Sequence, residues 1–365
     1  MINFEFAEAG DDVVNIKVIG CGGGGCNAVN RMIKAGVKGV EFIVMNTDRP
    51  VLDSSAAPVK LQIGEKLTKG KGAGSDPAVG ENSALENKEE IQAALRGADM
   101  IFIAAGMGGG TGTGSAPVVA EIAKDMGILT VAIVTKPFSF EGGLKMKRAE
   151  AGIEKLREHV DSLIIIPNEK LKDVSSERIT LLNAFQVADD VLRQGVQSIS
   201  DLILIPGLVN VDFADVHIIM KDAGNAHMGV GRASGADKAV NAAAMAISSP
   251  LLETSIEGAT GVIFNITASP DIGMDEVDEA SRMVQQAAHP DANIIWGVAL
   301  NEDLQDEIIV TVIATGFPTK GQSRGLAAAA EAVDLFPVAD EKVEEKEDVV
   351  DDDLNFLNLF ANLGE

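Results

Sequence analysis

The sequence has no tyrosine, one tryptophan and two cysteines in 365 residues. Without aromatic rings along a basic groove, there are no stacking platforms for single-stranded nucleic acid. Cys21 and Cys26 make no disulfide framework, and such sparse usage fits a reducing compartment. Positive charge is also scarce: 30 Lys and Arg stand against 55 Asp and Glu, a net charge of −25. A chain this acidic repels a phosphate backbone, so no nucleic-acid partner is expected. A single nucleotide is a different matter, because backbone N–H groups bind phosphate without net positive charge. No apolar run reaches the roughly 18–20 residues that span a bilayer. The N-terminal MINFEFAEAGDD lacks the basic region and apolar core of a signal peptide. A cytoplasmic protein with no direct membrane insertion is therefore expected. His159, His217, His227 and His289 are scattered without metal-ligand spacing, and no metal-binding side-chain set is expected.

What is present is a globular composition, 46% hydrophobic with 38 glycines. The length suits two domains, or three. After an N-terminal extension (1–12), short apolar runs alternate with helical segments. Strands are expected at Val13–Ile19, Val40–Met45, Met100–Ala105, Leu129–Thr135 and Leu163–Ile166. Helices are expected at Asn27–Ala35, from Asp76-Pro77 to Arg96, at Pro117–Met126 and at Lys145–His159. This βαβ alternation predicts a parallel sheet with helices on both faces, a nucleotide-binding domain over 13–178. A long helix follows at Ile179–Leu204, with a loop and a helix start to 221. The region 222–318 reads as a smaller α+β domain, with helices near 236–247 and 275–288 and strands near 261–268, 293–299 and 308–315. From 319 the chain becomes an acidic linker. Residues 340–365 carry ten acids against Lys342 and Lys346, too polar to fold alone. Within it, Leu354, Phe356, Leu357, Leu359 and Phe360 form an apolar island suited to folding on a partner.

Two glycine-rich loops carry the chemistry. Gly20, Gly22 and Gly25 satisfy G-x-G-x-x-G between a strand and a helix. There the absence of Cβ atoms lets backbone N–H groups approach phosphate, and the helix dipole favours the anion. Alone, that points first to a dinucleotide, with Asp48 as a ribose acid, and hence to an oxidoreductase. The second loop, Gly106 through Gly114, also follows a strand and precedes a helix. Two loops on one sheet edge suit a chain of three phosphates held from both sides. Thr111 and Thr113 add hydroxyls for phosphate or metal. A third loop, Gly72-Ala73-Gly74, precedes another helix start, and no Walker A sequence occurs.

The stretch GGGTGTG at 108–114 resembles the signature of the tubulin/FtsZ superfamily. The order of GCGGGGCNAVNRM (20–32), NTD (46–48), GAG (72–74), PFSFEG (137–142), IPN (166–168) and GLVNVDFAD (207–215) is similar to its bacterial FtsZ branch. The resemblance implies GTP and GDP as ligands, with Mg²⁺ reached mainly through phosphates and water. It implies that Gly22–Asn27 and Gly108–Gly114 cradle the phosphates, with nucleotide contacts from Gly20, Gly22, Gly23, Gly24, Gly25, Cys26, Asn27 and Asn46, and from Gly72, Ala73 and Gly74. Further contacts fall on Gly106, Gly108, Gly109, Gly110, Thr111, Gly112, Thr113 and Gly114. Glu141 would contact the sugar, Asn168 the base, Phe185 the guanine ring, and Asp189 its N1–H and exocyclic amine. Lys145 stands near the γ-phosphate where the family usually has Arg, keeping the charge but losing the planar fork. Asn210, Asp212 and Asp215 would position the attacking water in the next subunit's site. Spacing alone makes Asp212 and Asp215 a helix cap pair. The implied function is a GTPase activated by head-to-tail polymerisation, forming the bacterial division ring. Membrane-anchoring adaptors and division regulators would bind the C-terminal peptide. A non-hydrolysing adaptor of the same fold is the other reading, against which the intact acids stand. Cys26, near a helix N-terminus, is expected to have a lowered thiol pKa, to be the more reactive cysteine, and to be protected by GTP.

Overall fold

The computed structural model describes residues 14–174, 180–204, 208–209, 211–249, 256–301 and 304–317. The N-terminal extension, Asn210 and the acidic tail lie outside the described residues. The chain opens with β1 (Ile16–Cys21), α1 (Gly22–Lys34), β2 (Val40–Asn46), α2 (Arg49–Ser54), β3 (Val59–Gln62) and α3 (Glu65–Thr68). It continues through α4 (Pro77–Glu86), α5 (Lys88–Leu95), β4 (Met100–Gly106), α6 (Thr111–Asp125), β5 (Leu129–Lys136), α7 (Gly143–Arg157) and β6 (Ser162–Pro167). After α8 (Leu171–Val174) come α9 (Leu181–Leu204), α10 (Phe213–Met220), β7 (Gly224–Ser234) and α11 (Lys238–Ile247). The last elements are β8 (Gly261–Ala268), α12 (Met274–Ala287), β9 (Asn293–Leu300) and β10 (Glu307–Thr315).

The strands join one sheet in the order β3-β2-β1-β4-β5-β6-β7-β10-β8-β9. The first six are parallel, and all but the exposed edge strand β3 are largely buried and read as near-continuous apolar runs, as strands covered on both faces do. One face packs on α1 and α9 (Val29, Met32, Val191, Leu192, Val196). The other packs on α5, α6 and α7 (Leu95, Val119, Ile153). Three parallel pairs, Ser162↔Gly224 to Ile164↔Ala226, carry the sheet from β6 into β7. Beyond β7 it turns antiparallel at β10 and β8, with β9 parallel to β8, and Phe264, Val310 and Val312 form a third core under α11 and α12. The α/β architecture, long α9 and α+β C-terminal part match the expected fold.

Three local differences have physical causes. The single helix expected from Pro77 to Arg96 breaks at Asn87, whose Oδ1 accepts from Gly64 N–H at 2.9 Å. The asparagine side chain here serves a neighbouring loop instead of helix continuity. Helix α6 starts at Thr111, not at Pro117, because tertiary packing overrides glycine's poor propensity. A Cβ on Gly114 would lie 2.0 Å from Pro77 O, so α4 and α6 touch through backbone. Strand β7 is absent from the expected strands, and glycines interrupt its sequence. They are packing residues: a Cβ on Gly229 or Gly231 would lie 1.9 Å from Ala246 O or 1.8 Å from Ala242 O of α11.

Candidate functional site

In the order β3-β2-β1-β4-β5-β6, successive strands are added to one side up to β3 and to the other side from β4 onward, and a crevice opens beyond the carboxyl ends of the parallel β1 and β4. Both glycine loops lie there, because β1 runs into α1 and β4 into α6. Neither helix has a side-chain cap or an acid in its first turn. Their leading N–H groups are therefore free for an anion, with both dipoles favouring negative charge.

The loops fit backbone to backbone. A Cβ on Gly22, whose φ is +69°, would lie 2.5 Å from Gly112 N. One on Gly24 would lie 3.1 Å from Gly106 N, and one on Gly112 2.8 Å from Cys21 O. Gly23 and Gly109, by contrast, face open space, with nothing within 4 Å of an added Cβ. The floor of the cradle is thus closed and its rim open. Gly72–Gly74 forms a third wall: a Cβ on Gly110 would lie 2.9 Å from the Ala73 methyl and 2.8 Å from Asp76 N.

The side chains around this cradle divide into two groups. Thr111 is half-buried, and its hydroxyl shares a 2.7 Å hydrogen bond with that of Thr47, a residue the sequence reading did not assign. The Thr113 hydroxyl is buried and accepts from Gly108 N–H at 2.8 Å, closing the loop. Asn46 is turned inward: its Nδ2 meets Cys26 Sγ at 3.9 Å, and its Oδ1 accepts from Asp48 N–H at 3.2 Å. Asn27 lines an open cleft of about 490 Å³ between α1 and α9, with Asn30, Arg31, Gln186, Asp189 and Asp190.

The expectation of a lowered Cys26 thiol pKa is overturned. Both thiols are fully buried. Burial pushes Cys26 up to about 11 despite the Asn46 amide, and raises Cys21 with help from Cys26. The helix dipole loses to desolvation. Native protein should therefore react with a maleimide slowly at both positions, with or without nucleotide. Denaturant should release two equivalents of thiol; rapid native labelling of either cysteine would contradict the burial.

Beside the glycine cradle, the Glu141 carboxylate accepts from Phe138 N–H at 2.9 Å and pairs with Lys145 across one turn. Lys145 also closes over the second loop, where a Cβ on Gly108 would lie 2.7 Å from Lys145 Cγ. Phe138 is buried and anchors Phe140 and Phe185, with ring centroids 5.1 and 5.6 Å away. Phe140 and Phe185 are exposed at 57% and 46%, an open aromatic platform in a chain poor in rings. Asn168 is buried, and its Oδ1 has no hydrogen-bond partner among the described residues. Asp189 is half-buried, and desolvation lifts its carboxyl to about 6, with Arg31 pulling down and Asp190 pushing up. Arg31 went unassigned in the sequence. Its signal was available, four residues after Asn27 on one helix face.

The acid pair lies elsewhere. Asp212 caps α10, accepting from Asp215 N–H at 2.8 Å, as its spacing suggested. The preceding Val211 packs with Leu202 of α9 at Gly297. Leu202 is 17 residues beyond Phe185 on α9. At about 1.5 Å per residue, that separates the acids' loop from the aromatic platform by roughly 26 Å. Helix α9 is thus the rod that holds Phe185 and Asp189 at one end and delivers the chain to Asp212 at the other.

Comparison with known proteins agrees with this architecture. The sequence model of the Tubulin/FtsZ family GTPase domain matches residues 15–176, and that of the FtsZ family C-terminal domain matches residues 224–318. A solved FtsZ dimer from M. jannaschii is 45% identical with a TM-score of 0.79, covering 83% of this chain and 88% of its own. A mutant FtsZ from M. jannaschii is 44% identical with a TM-score of 0.80, covering 85% and 92%. CetZ2 from Haloferax volcanii, solved as a GTPγS-bound protofilament, is 22% identical with a TM-score of 0.71, covering 88% and 99%, a likeness of fold alone. With its paired glycine loops on a parallel sheet and its matches at both halves, the chain belongs to the FtsZ family of tubulin-like GTPases.

Proposed function

We propose that this GTPase is a self-assembling cytoskeletal protein of the division ring, whose hydrolytic site is completed by the next subunit. The carrying observation is the separation just described: cradle and platform at one end of α9, acids at the other. A group at the far end of α9, roughly 26 Å from the platform, lies out of reach of its own chain's nucleotide, but head-to-tail stacking would bring it to a neighbour's. The M. jannaschii relative is a dimer and CetZ2 a protofilament, which supports self-association.

In this reading Gly20–Asn27 and Gly106–Gly114 hold the triphosphate through backbone N–H groups, walled by Gly72–Gly74. Lys145 supplies the positive charge near the γ-phosphate and is itself held by Glu141, beside the sugar. Phe185 stacks on the base, and Asn168 Oδ1 gains the partner it lacks. Asp189 accepts from N1–H and the exocyclic amine, a pair of donors that adenine does not offer. The neighbour's Asp212 and Asp215, with Asn210, orient a water for in-line attack on the γ-phosphorus. The new P–O bond forms as the bridging oxygen leaves on GDP, and a carboxylate takes the water's proton. Mg²⁺ suits this donor set. Among the described residues no three His, Cys, Asp or Glu side chains form a metal cage. The threonine hydroxyls and phosphates fit an ion that keeps most of its water. Bound there, it would neutralise charge on the phosphates.

The tail's apolar island serves as an adaptor and regulator peptide in this proposal, and the protein works in the cytoplasm at the division site. Among the described residues no helix is long and apolar enough to cross a membrane.

GTP hydrolysis measured against protein concentration, with light scattering, tests the shared site. Specific activity should be near zero in dilute protein and rise together with scattering; activity independent of concentration would end the proposal. Guanine binding also has a pH signature. Only ionised Asp189 accepts the base's N–H donors, and its unliganded carboxyl titrates near 6. Affinity should be flat above neutrality and fall about tenfold per pH unit below 6. Calorimetric titration of GTP between pH 5 and 8 checks this, and D189N should remove the dependence.

A further inference from the structure

Helix α10 ends against two hydroxyls from different parts of the sheet. The last carbonyls of a helix have no intrahelical partner. Here Met220 O accepts from Ser162 Oγ at 2.6 Å, and Ile219 O accepts from Thr315 Oγ1 at 3.1 Å, a hydroxyl whose single proton is shared with Gly261 O at 3.3 Å. Ser162 opens β6, the last parallel strand before the junction with β7. Thr315 closes β10, on the other side of that junction. Both residues are buried, at 0% and 1% exposure. Just past the helix, Asp222 N–H donates to Asp161 Oδ1 at 3.3 Å and Gly224 N–H to Asp161 O at 2.9 Å. Gly261 leaves room for the contact: a Cβ there would lie 2.6 Å from Thr315 Oγ1 and 3.2 Å from Ile219 Cγ2.

One hydrogen bond fixes a point, whereas two on consecutive carbonyls from different strands fix an orientation. Helix α10 has eight residues, about 12 Å, with neither Gly nor Pro inside. It behaves as a rigid lever, and its far end is capped by Asp212. We propose that Ser162 and Thr315 are positioning residues for GTP hydrolysis, setting the angle at which α10 presents Asp212 and Asp215 to the neighbouring nucleotide. This rests on the reading that those acids act across the subunit contact.

The test is T315V, which keeps the side chain's shape and removes its hydroxyl, alongside T315S, S162A and D212A. GTP affinity, polymer mass and turnover per polymerised subunit are measured for each. T315V and S162A should keep wild-type GTP affinity and polymer mass while turnover per polymerised subunit falls about tenfold, as a misplaced reacting group predicts. T315S should restore the wild-type rate. Unchanged turnover in T315V and S162A, with turnover abolished in D212A, would overturn the positioning role and leave the shared site standing. A loss of activity only in proportion to lost polymer would reduce the hydroxyls to structural caps. Normal turnover in D212A would remove the shared site itself, and this inference with it. If T315V does not fold, S162A, which adds no bulk, carries the same comparison.

Discussion

Asp212→Asn should leave GTP binding and filament formation intact and lower turnover per polymerised subunit by roughly a hundred- to a thousandfold. Asparagine is as good a helix N-cap as aspartate. The bond from Asp215 N–H to the residue 212 side chain, 2.8 Å long here, therefore survives the change, and α10 keeps its start. What disappears is the negative charge and the capacity to take a proton from water. Asp212→Ala removes both functions and should add a cap penalty of about 1 kcal/mol. The two variants separate catalysis from capping: equal loss of turnover, with a lower Tm only for alanine. Mixed filaments sharpen the result. Adding D212N subunits to wild-type protein should poison the sites they abut in proportion to their fraction. If D212N turns over GTP at the wild-type rate, Asp212 is only the cap that its spacing first suggested.

Gly22→Ala and Gly23→Ala should differ sharply although the residues are adjacent. At Gly22 the backbone sits at φ +69°, and a methyl would collide with Gly112 N at 2.5 Å and its Cα at 2.9 Å. Backbone cannot step aside as a flexible side chain can, so the two loops must part. The expected cost is about 1–3 kcal/mol of stability, together with loss of GTP binding. At Gly23 nothing lies within 4 Å of an added methyl, so the fold should tolerate it. That methyl enters the open face where phosphate would lie, so G23A should keep its Tm and bind GTP at least tenfold more weakly. Thermal unfolding with and without GTP reads both effects in one experiment. A G23A protein with normal affinity would move the phosphate away from the first turn of α1.

Much of this molecule was legible in its sequence because the signals are local. Continuous apolar runs marked the buried parallel strands, and Asp76-Pro77 marked the start of α4 through the Asp76 side chain, which accepts from Ala78 N–H at 3.0 Å. Glycine clusters after β1 and β4 marked the cradle, since no other residue lets backbone come so close. Other features were not legible, because one residue type serves several ends. Gly229 and Gly231 look like turn residues, but they are where α11 lies on β7. Asn87 looks like a helix residue, but it bonds a loop 23 positions away. Cys26 stands near a helix N-terminus, where the dipole would lower its pKa, yet its complete burial raises it.

The sequence by itself determined most element types and the two glycine loops, which follow from backbone freedom and periodicity within a short window. The guanine and water roles rest on the resemblance to the tubulin/FtsZ family, since spacing alone made Asp212 and Asp215 a cap pair. Only the tertiary structure decided which of them share a place. The strand order put two uncapped helix starts in one crevice, Arg31 beside Asp189, and Phe138 beneath Phe185. The length of α9 kept Asp212 and Asp215 away from that crevice, and hydroxyls from β6 and β10 fixed where α10 ends. Those relations join residues far apart in the chain. They arise from how helices bury their apolar faces on the sheet, which no local pattern encodes.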